Sequence, residues 1–146
     1  MDIRRITQAD GPQVKDMMRV FYASDAVVTN GSEEIFQNNV SACLKEDTGL
    51  HGYVFEENGE ILGYAMTAKS FSTEYGRECL WIEDLYVKPK AQGRGIGKAF
   101  FEEVEKIYPG MMLCLEVEEE NVNALKLYRK CGFDKMGYLE MKKIPK

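Results

Sequence analysis

The chain has 146 residues, 45% of them hydrophobic and 11% aromatic, which is enough for one packed core and too few for two. Its net charge of −5 and sequence pI near 5.0 argue against a general nucleic-acid binder and are compatible with a cationic substrate. Neither a spanning run of apolar residues nor the apolar region of a secretory signal is present. The four cysteines lie far apart without a C-x-x-C pair, so we expect buried thiols in a soluble, cytoplasmic protein, with no metal site and no disulfide framework.

The first half of the chain predicts one strand, two helices and three consecutive strands. Apolar residues recur every three or four positions in both helices. Asn58-Gly59 tolerates positive φ angles and therefore predicts a type I′ hairpin turn. The run CLWIEDLYV is rich in β-formers and ends just before Pro89. The predicted elements are a strand near 3–6, helices at 14–22 and 35–44, and strands at 51–57, 60–71 and 79–87.

The second half alternates helices and strands. Apolar spacing predicts a helix that ends before Pro109-Gly110, then the strand MMLCLEV, then a helix from about 121 to 130 that Gly132 caps. A last strand is expected at 138–144. This alternation indicates parallel strands with crossover helices, whereas the hairpins of the first half make the sheet mixed. We therefore predict a single α/β domain over 1–146, with about four helices flanking a mixed sheet in the order βααβββαβαβ.

The segment AQGRGIGKA at 91–99 contains three glycines at alternating positions. A Walker loop would need glycine at Gln92 and a hydroxyl at Ala99, and a dinucleotide fingerprint starting at Gly93 would need glycine at Lys98. Both interpretations fail. What remains is a loop between a strand and a helix N-terminus, where free amides and the helix dipole favour an anion such as a pyrophosphate.

Two motifs in this half are similar to those of a known family. Gln92-x-x-Gly95-x-Gly97, placed between a strand and a helix, resembles the acetyl-CoA pyrophosphate loop of the GNAT superfamily of N-acetyltransferases. The segment Asn121-x-x-Ala124-x-x-Leu127-Tyr128-x-x-x-Gly132-Phe133 resembles that family's other cofactor segment. The resemblance covers 79–133 and implies acetyl-CoA as co-substrate, held by Leu85, Tyr86, Val87, Gln92, Gly93, Arg94, Gly95, Ile96, Gly97, Lys98 and Asn121.

Acetyl transfer from a thioester to an amine requires a neutral amine, a stabilised oxyanion and a proton for the departing thiolate. A primary amine with a pKa near ~10.4 is about one-thousandth neutral at pH 7, so a proton acceptor is useful. We expect Glu83 to be that base and Asp84 to bind a cationic amine, with a β-bulge between them that the resemblance implies. The resemblance also implies Tyr128 as the acid that protonates the thiolate. Cys131 is not expected to act as a nucleophile.

The acceptor stays open at this point. The acidic balance and the Glu83-Asp84 pair favour a di- or polyamine, and the stretch at 72–87 is similar to the same region of diamine and polyamine acetyltransferases. Protein N-terminal or lysine acetyltransferases and antibiotic-modifying ones share the cofactor motifs, and a non-catalytic acyl-CoA-binding regulatory domain is an alternative of another class. We expect His51 to be structural and Glu118-Glu119-Glu120 to be a solvated loop. The hairpin at 51–71 could offer an edge for a homodimer.

Overall fold

The computed structural model describes residues 1–146, which form one five-stranded sheet with four helices. The strands lie side by side in chain order; the first four are antiparallel and the fifth is parallel to the fourth. No helix in the structure has the length and apolar character needed to cross a membrane. The elements are β1 (Asp2–Arg5), α1 (Gly11–Tyr22), α2 (Glu33–Leu44), β2 (Leu50–Glu57), β3 (Glu60–Ser72), β4 (Arg77–Val87), α3 (Ile96–Ile107), β5 (Met112–Leu115) and α4 (Val122–Lys130).

The turns and caps follow the local signals in the sequence. Asn58 and Gly59 have φ angles of 52° and 79°, which confirms the hairpin turn between β2 and β3. Ser32 caps α2, because its side chain accepts a hydrogen bond from the amide of Ile35 at 3.2 Å. Gly132, with φ of 92°, ends α4 as predicted.

Each face of the sheet carries its own core. On one face α1 and α2 cover side chains that include Val54, Tyr64 and Met66. On the other face the side chains of α3, with Phe100 at their centre, cover the opposite set, which includes Leu80 and is joined by partly buried groups of α4. This two-sided burial is the arrangement expected for a sheet with helices on both faces.

A β-bulge interrupts β4 at the predicted carboxylates. Thr67 of β3 pairs with Ile82 and the preceding Met66 pairs with Asp84, so Glu83 is the extra residue. Before the bulge, Ile82 packs on the α3 face; after it, Asp84 turns to the face covered by α1 and α2. The bulge that the family resemblance implied is therefore present.

Strands β4 and β5 are paired over a short distance and then diverge. The ladder joins 79–82 to 112–115, so β5 is shorter than the predicted strand at 111–117. From Asp84 to Val87, β4 is paired with β3 on one edge only. The divergence leaves an opening in the sheet at the carboxyl end of both strands.

Two predictions from the sequence are wrong. Residues 138–144 form no strand, because this stretch lies against no strand edge and Tyr138, Leu139, Met141 and Ile144 are 67%, 88%, 91% and 73% exposed. Its residues favour β-structure, but this preference takes effect only where a neighbouring strand is available for pairing. The hairpin at 51–71 has no free edge either, since β1 pairs with β2 and β4 pairs with β3. A homodimer therefore stays a prediction without that edge.

Candidate active site

A cavity of about 450 Å³ lies where β4 and β5 diverge. Because the strands separate there, groups from both faces of the sheet line a single space. One wall comes from the end of α1 and the loop after this helix, and the opposite wall comes from α4. The lining residues are Phe21, Tyr22, Ala26, Val27, Val28, Thr29, Ile82, Glu83, Asp84, Leu85, Leu115, Glu116, Val117, Glu118, Asn121, Ala124, Tyr128 and Glu140.

The cavity is acidic. Five carboxylates line it, and no lysine, arginine or histidine is among its lining residues. The remaining wall is mainly apolar, with Phe21, Val27 and Val28 on the α1 side. A low-dielectric wall with charges of one sign concentrates cations, so the arrangement suits a positively charged ligand with an aliphatic part.

Asp84 is buried on the α1 side of this cavity without a cationic partner. The Tyr64 hydroxyl donates to Asp84 Oδ2 at 2.7 Å, and the Tyr22 hydroxyl lies 3.1 and 3.2 Å from Oδ1 and Oδ2. Burial is the main cause that raises the pKa of Asp84 above its usual value. The other buried carboxylate, Asp10, receives two hydrogen bonds from Arg4 at 2.8 and 3.0 Å, which lower its pKa to about 2.

Glu83 stands at the rim, in the bulge itself. Partial burial of its carboxyl group, and then repulsion from Glu140, raise its pKa. Burial and the charges of Glu140 and Glu83 likewise raise the pKa of Glu116. These three carboxylates therefore form one electrostatic group at the cavity, and the charge of Glu83 also acts on Asp84.

Tyr128 approaches the cavity from α4. Its ring packs against Phe101 and Phe133, each with a centroid distance of 6.0 Å, and its hydroxyl makes no hydrogen bond within the protein. Burial raises the pKa of Tyr128, so the phenol stays protonated at neutral pH. The Phe133 amide donates to the Tyr128 carbonyl at 3.0 Å, which fixes the end of the helix around Gly132.

The other end of α4 is fixed as well. Asn121 caps it, with Oδ1 accepting from the Ala124 amide at 3.4 Å, and the same residue lines the cavity. Leu127 lies against the first turn of α3, where a Cβ on Gly97 would come within 2.8 Å of its Cδ2. The lack of a side chain at Gly97 therefore allows α3 and α4 to pack closely beside Tyr128.

The glycine loop joins β4 to α3. Gly93 and Gly95 have φ angles of 77° and 80°, and no atom lies within 4 Å of a Cβ placed on either, so the space beside the backbone is open to a ligand. The Ala99 amide donates to the Gly95 carbonyl at 3.0 Å, which begins the hydrogen bonding of α3. The amides that precede Ala99 therefore have no partner within the helix. Their geometry fits an anion.

Two side chains of the glycine loop attach it to the neighbouring strands. The side-chain nitrogen Nε2 of Gln92 donates to the Val87 carbonyl at 2.9 Å, and Arg94 forms an ion pair with Glu57 at 2.6 Å. Lys98 stands 3.8 Å from Glu102 on the exposed side of α3. Among the predicted cofactor residues, the backbone of the loop is therefore free, whereas Gln92 and Arg94 anchor it to the strands.

Five ionisable residues of the site are not predicted by the sequence: Tyr22, Tyr64, Glu116, Glu118 and Glu140. Tyr22 and Tyr64 follow the helical and alternating patterns of core residues, and nothing local marks their hydroxyls as partners of Asp84. Glu116 falls in a predicted strand that in fact ends at Leu115. Glu140 falls in a predicted strand that does not form, so only the folded chain reveals it beside Glu83.

The profile of the Acetyltransferase (GNAT) family matches residues 15–133. A spermine/spermidine N(1)-acetyltransferase of Bacillus subtilis is 24% identical over 112 residues, 70% of this chain and 73% of that protein. The peptidyl-lysine N-acetyltransferase YiaC of Escherichia coli is 37% identical over 81 residues, which are 56% of this chain and 48% of that relative.

Solved structures share the fold at low sequence identity. A possible acetyltransferase from Clostridium difficile 630 superposes with a TM-score of 0.82 at 18% identity, covering 99% of this chain and 97% of that one. The aminoglycoside N-acetyltransferase AAC(6')-Iy in complex with CoA gives 0.79 at 15% identity, covering 98% and 93%. Together with the family profile, these matches establish that the chain belongs to the GNAT family and is an acetyl-CoA-dependent N-acetyltransferase.

Proposed function

We propose that this enzyme transfers the acetyl group of acetyl-CoA directly to a primary amine of a di- or polyamine. One observation carries the proposal: Asp84 is a buried carboxylate without a cation, in a cavity lined by five carboxylates and no basic group. Buried charges in proteins are normally paired. The missing partner at Asp84 is therefore a cation that arrives with the substrate.

The carboxylate has room for that cation. Oδ1 of Asp84 accepts only the 3.1 Å contact from Tyr22, whereas Oδ2 also accepts the 2.7 Å bond from Tyr64. An ammonium group can replace the long Tyr22 contact while the buried Tyr64 bond remains. The apolar wall then covers the methylene chain of the substrate, and Glu116 with Glu140 is placed to attract a second ammonium group.

Glu83 and Tyr128 divide the proton transfers. Glu83 accepts a proton from the reacting ammonium, directly or through water, and its raised pKa makes it a stronger base than an ordinary glutamate. The amine nitrogen then forms a bond to the acetyl carbon and the carbon–sulfur bond breaks. Tyr128 gives its proton to the departing thiolate, for which its unengaged hydroxyl is suited, and the second proton lost by the amine nitrogen restores the phenol.

Acetyl-CoA supplies the activated thioester. The free amides of the loop, Gly93 to Lys98, would hold its pyrophosphate, with Gln92 and Arg94 keeping the loop in place. The unpaired edge of β4 from Leu85 through Tyr86 to Val87 would bind the pantetheine arm as an added strand, and Asn121 lies at the cavity beside it. Residues 1–146 would act as one domain in the cytoplasm, where the four free thiols stay reduced.

The test is thiol release from acetyl-CoA with spermidine, smaller diamines, monoamines, aminoglycosides and lysine peptides as acceptors. We expect saturable release with the di- and polyamines. Tyr128→Phe should lower kcat by about 100-fold or more, with acetyl-CoA affinity retained. Tyr75→Phe removes a hydroxyl from an exposed turn and is the matched control, with unchanged turnover.

Each other result has a distinct meaning. Preference for lysine peptides or aminoglycosides would assign the acceptor to those classes and contradict the polyamine proposal. Binding of acetyl-CoA without release for any acceptor would favour a non-catalytic acyl-CoA-binding domain. Full turnover in Tyr128→Phe would remove the tyrosine from the proton transfer while leaving the acceptor class in place.

A further inference from the structure

The segment after α4 passes the acidic cavity without regular structure. Residues 133–146 form no helix or strand, and most are exposed. The contacts of this segment include a hydrogen bond that Tyr138 donates to Glu74 at 2.6 Å, and Glu140 lines the cavity beside Glu83 and Glu116. The backbone is therefore held at the cavity rim, and no strand ladder restrains the residues beyond Glu140.

Two lysines come directly after the residue at the rim. Lys142 and Lys143 are two and three positions beyond Glu140, both are exposed, and neither forms an ion pair. Two residues span at most about 7 Å, so the Lys142 backbone lies close to the cavity mouth. A lysine adds a flexible four-carbon stem that ends in a primary amine. The five carboxylates of the cavity attract this charge.

We propose that Lys142 and Lys143 are sites of self-acetylation, in which the enzyme modifies its own C-terminal segment. This inference rests on the proposed transfer to primary amines. The lysine ammonium gives one proton to Glu83, its nitrogen bonds to the acetyl carbon, and the carbon–sulfur bond breaks. The thiolate takes the Tyr128 proton, and the second proton that the nitrogen loses restores the Tyr128 phenol. The products are Nε-acetyl-lysine and free CoA, so no further reactant is needed.

The experiment incubates the full chain with acetyl-CoA alone and follows its intact mass, with peptide mapping of each lysine. We expect one or two added acetyl groups, on Lys142 and Lys143. Lys142→Arg and Lys143→Arg should each remove one site, and the double variant both. Lys45, an exposed lysine without an ion pair beyond the far end of α2, is the internal control and should stay unmodified, so Lys45→Arg should change nothing.

Kinetics distinguish transfer within one chain from other routes. The fraction modified per unit time should be independent of protein concentration over a tenfold range, and spermidine in excess should slow it. A rate proportional to protein concentration would overturn transfer within the chain, and equal modification of Lys45 or of heat-denatured protein would reveal unassisted chemistry. Thiol release with free amines but an unchanged mass would overturn self-acetylation alone; loss of both activities would overturn the proposed function with it.

Discussion

At the scale of single residues, Asp84 and Asp10 are two buried aspartates with opposite roles. Asp84→Asn keeps an acceptor for Tyr22 and Tyr64 but removes the charge that we assign to amine binding. We expect KM for a diamine to rise about 10- to 100-fold, the effect of losing a hydrogen bond to a charged group. Thermal stability at pH 7–8 should stay equal or rise, because burial disfavours this carboxylate in the folded state.

Asp10→Asn is the matched control for that variant. It removes the negative charge opposite Arg4 and one of the two oxygens that accept its hydrogen bonds, at a residue that does not line the cavity. The melting temperature should therefore fall, while KM for the amine is unchanged. A fall in melting temperature for Asp84→Asn, with an unaltered KM, would mean that Asp84 only stabilises the fold.

We expect Glu140 to set the pH range of the reaction through Glu83, the base that we propose. Its negative charge is one cause of the raised pKa of Glu83, so removing that charge lowers the pKa. In Glu140→Gln the acidic limb of the kcat/KM profile should move to lower pH. The measurement is a profile from pH 5 to 8 with one diamine. Glu83→Gln should abolish the acidic limb of the kcat/KM profile. If it does, and Glu140→Gln leaves this limb where it is, the charge of Glu140 does not influence the pKa of Glu83 in solution.

At the scale of elements, the glycine loop can be tested by comparing two glycines with positive φ angles. Gly95 lies in the loop and Gly49 lies outside it, so the cost of backbone strain can be distinguished from a loss of ligand binding. Alanine at Gly95 must adopt a φ near 80°, which costs about 1–2 kcal/mol of stability, and its methyl group would enter the open space beside the amides. We expect Gly95→Ala to weaken acetyl-CoA binding about tenfold or more by calorimetry. Gly49→Ala, at φ 74° in equally open space, should lose similar stability with unchanged affinity. Equal affinity in both variants would contradict a role for the loop amides.

The elements also mark the limit of what the sequence could predict. Short-range signals were sufficient for the hairpin at Asn58-Gly59, the cap at Gly132 and the glycine loop, since each depends on neighbouring residues alone. The bulge at Glu83 depends on the register between two strands, and only the family resemblance predicted it. The strand at 138–144 failed because β-forming residues need a neighbouring edge, which no local pattern encodes. Tyr22 reached Asp84 across 62 residues, beyond any local motif.

At the scale of the whole molecule, pH should change stability in separate windows. His51 Nδ1 lies 2.7 Å from the Tyr108 hydroxyl, and burial, Arg5 and Lys69 lower its pKa below 6.5. The unfolded chain therefore binds its proton more readily, so the free energy of unfolding should fall as the pH drops below about 6.5. His51→Gln should flatten this part of the curve from urea titrations. The stability that Asp10 contributes through its hydrogen bonds with Arg4 is lost only on further acidification, as the pH falls from about 4 towards 2.

The single extra residue at 83 makes the acidity of the cavity depend on the length of a strand as well as on its composition. A strand places successive side chains on alternate sides, so it behaves like a reading frame with a period of two. In a strand without the bulge, Asp84 would lie on the same side as Ile82, in the α3 core, and Leu85, Tyr86 and Val87 would exchange sides with it. The extra residue is therefore what turns Asp84 towards its tyrosines. Deleting Glu83 would remove the rim carboxylate and the bulge together, and Asp84 would become the neighbour of Ile82 while it kept its present side.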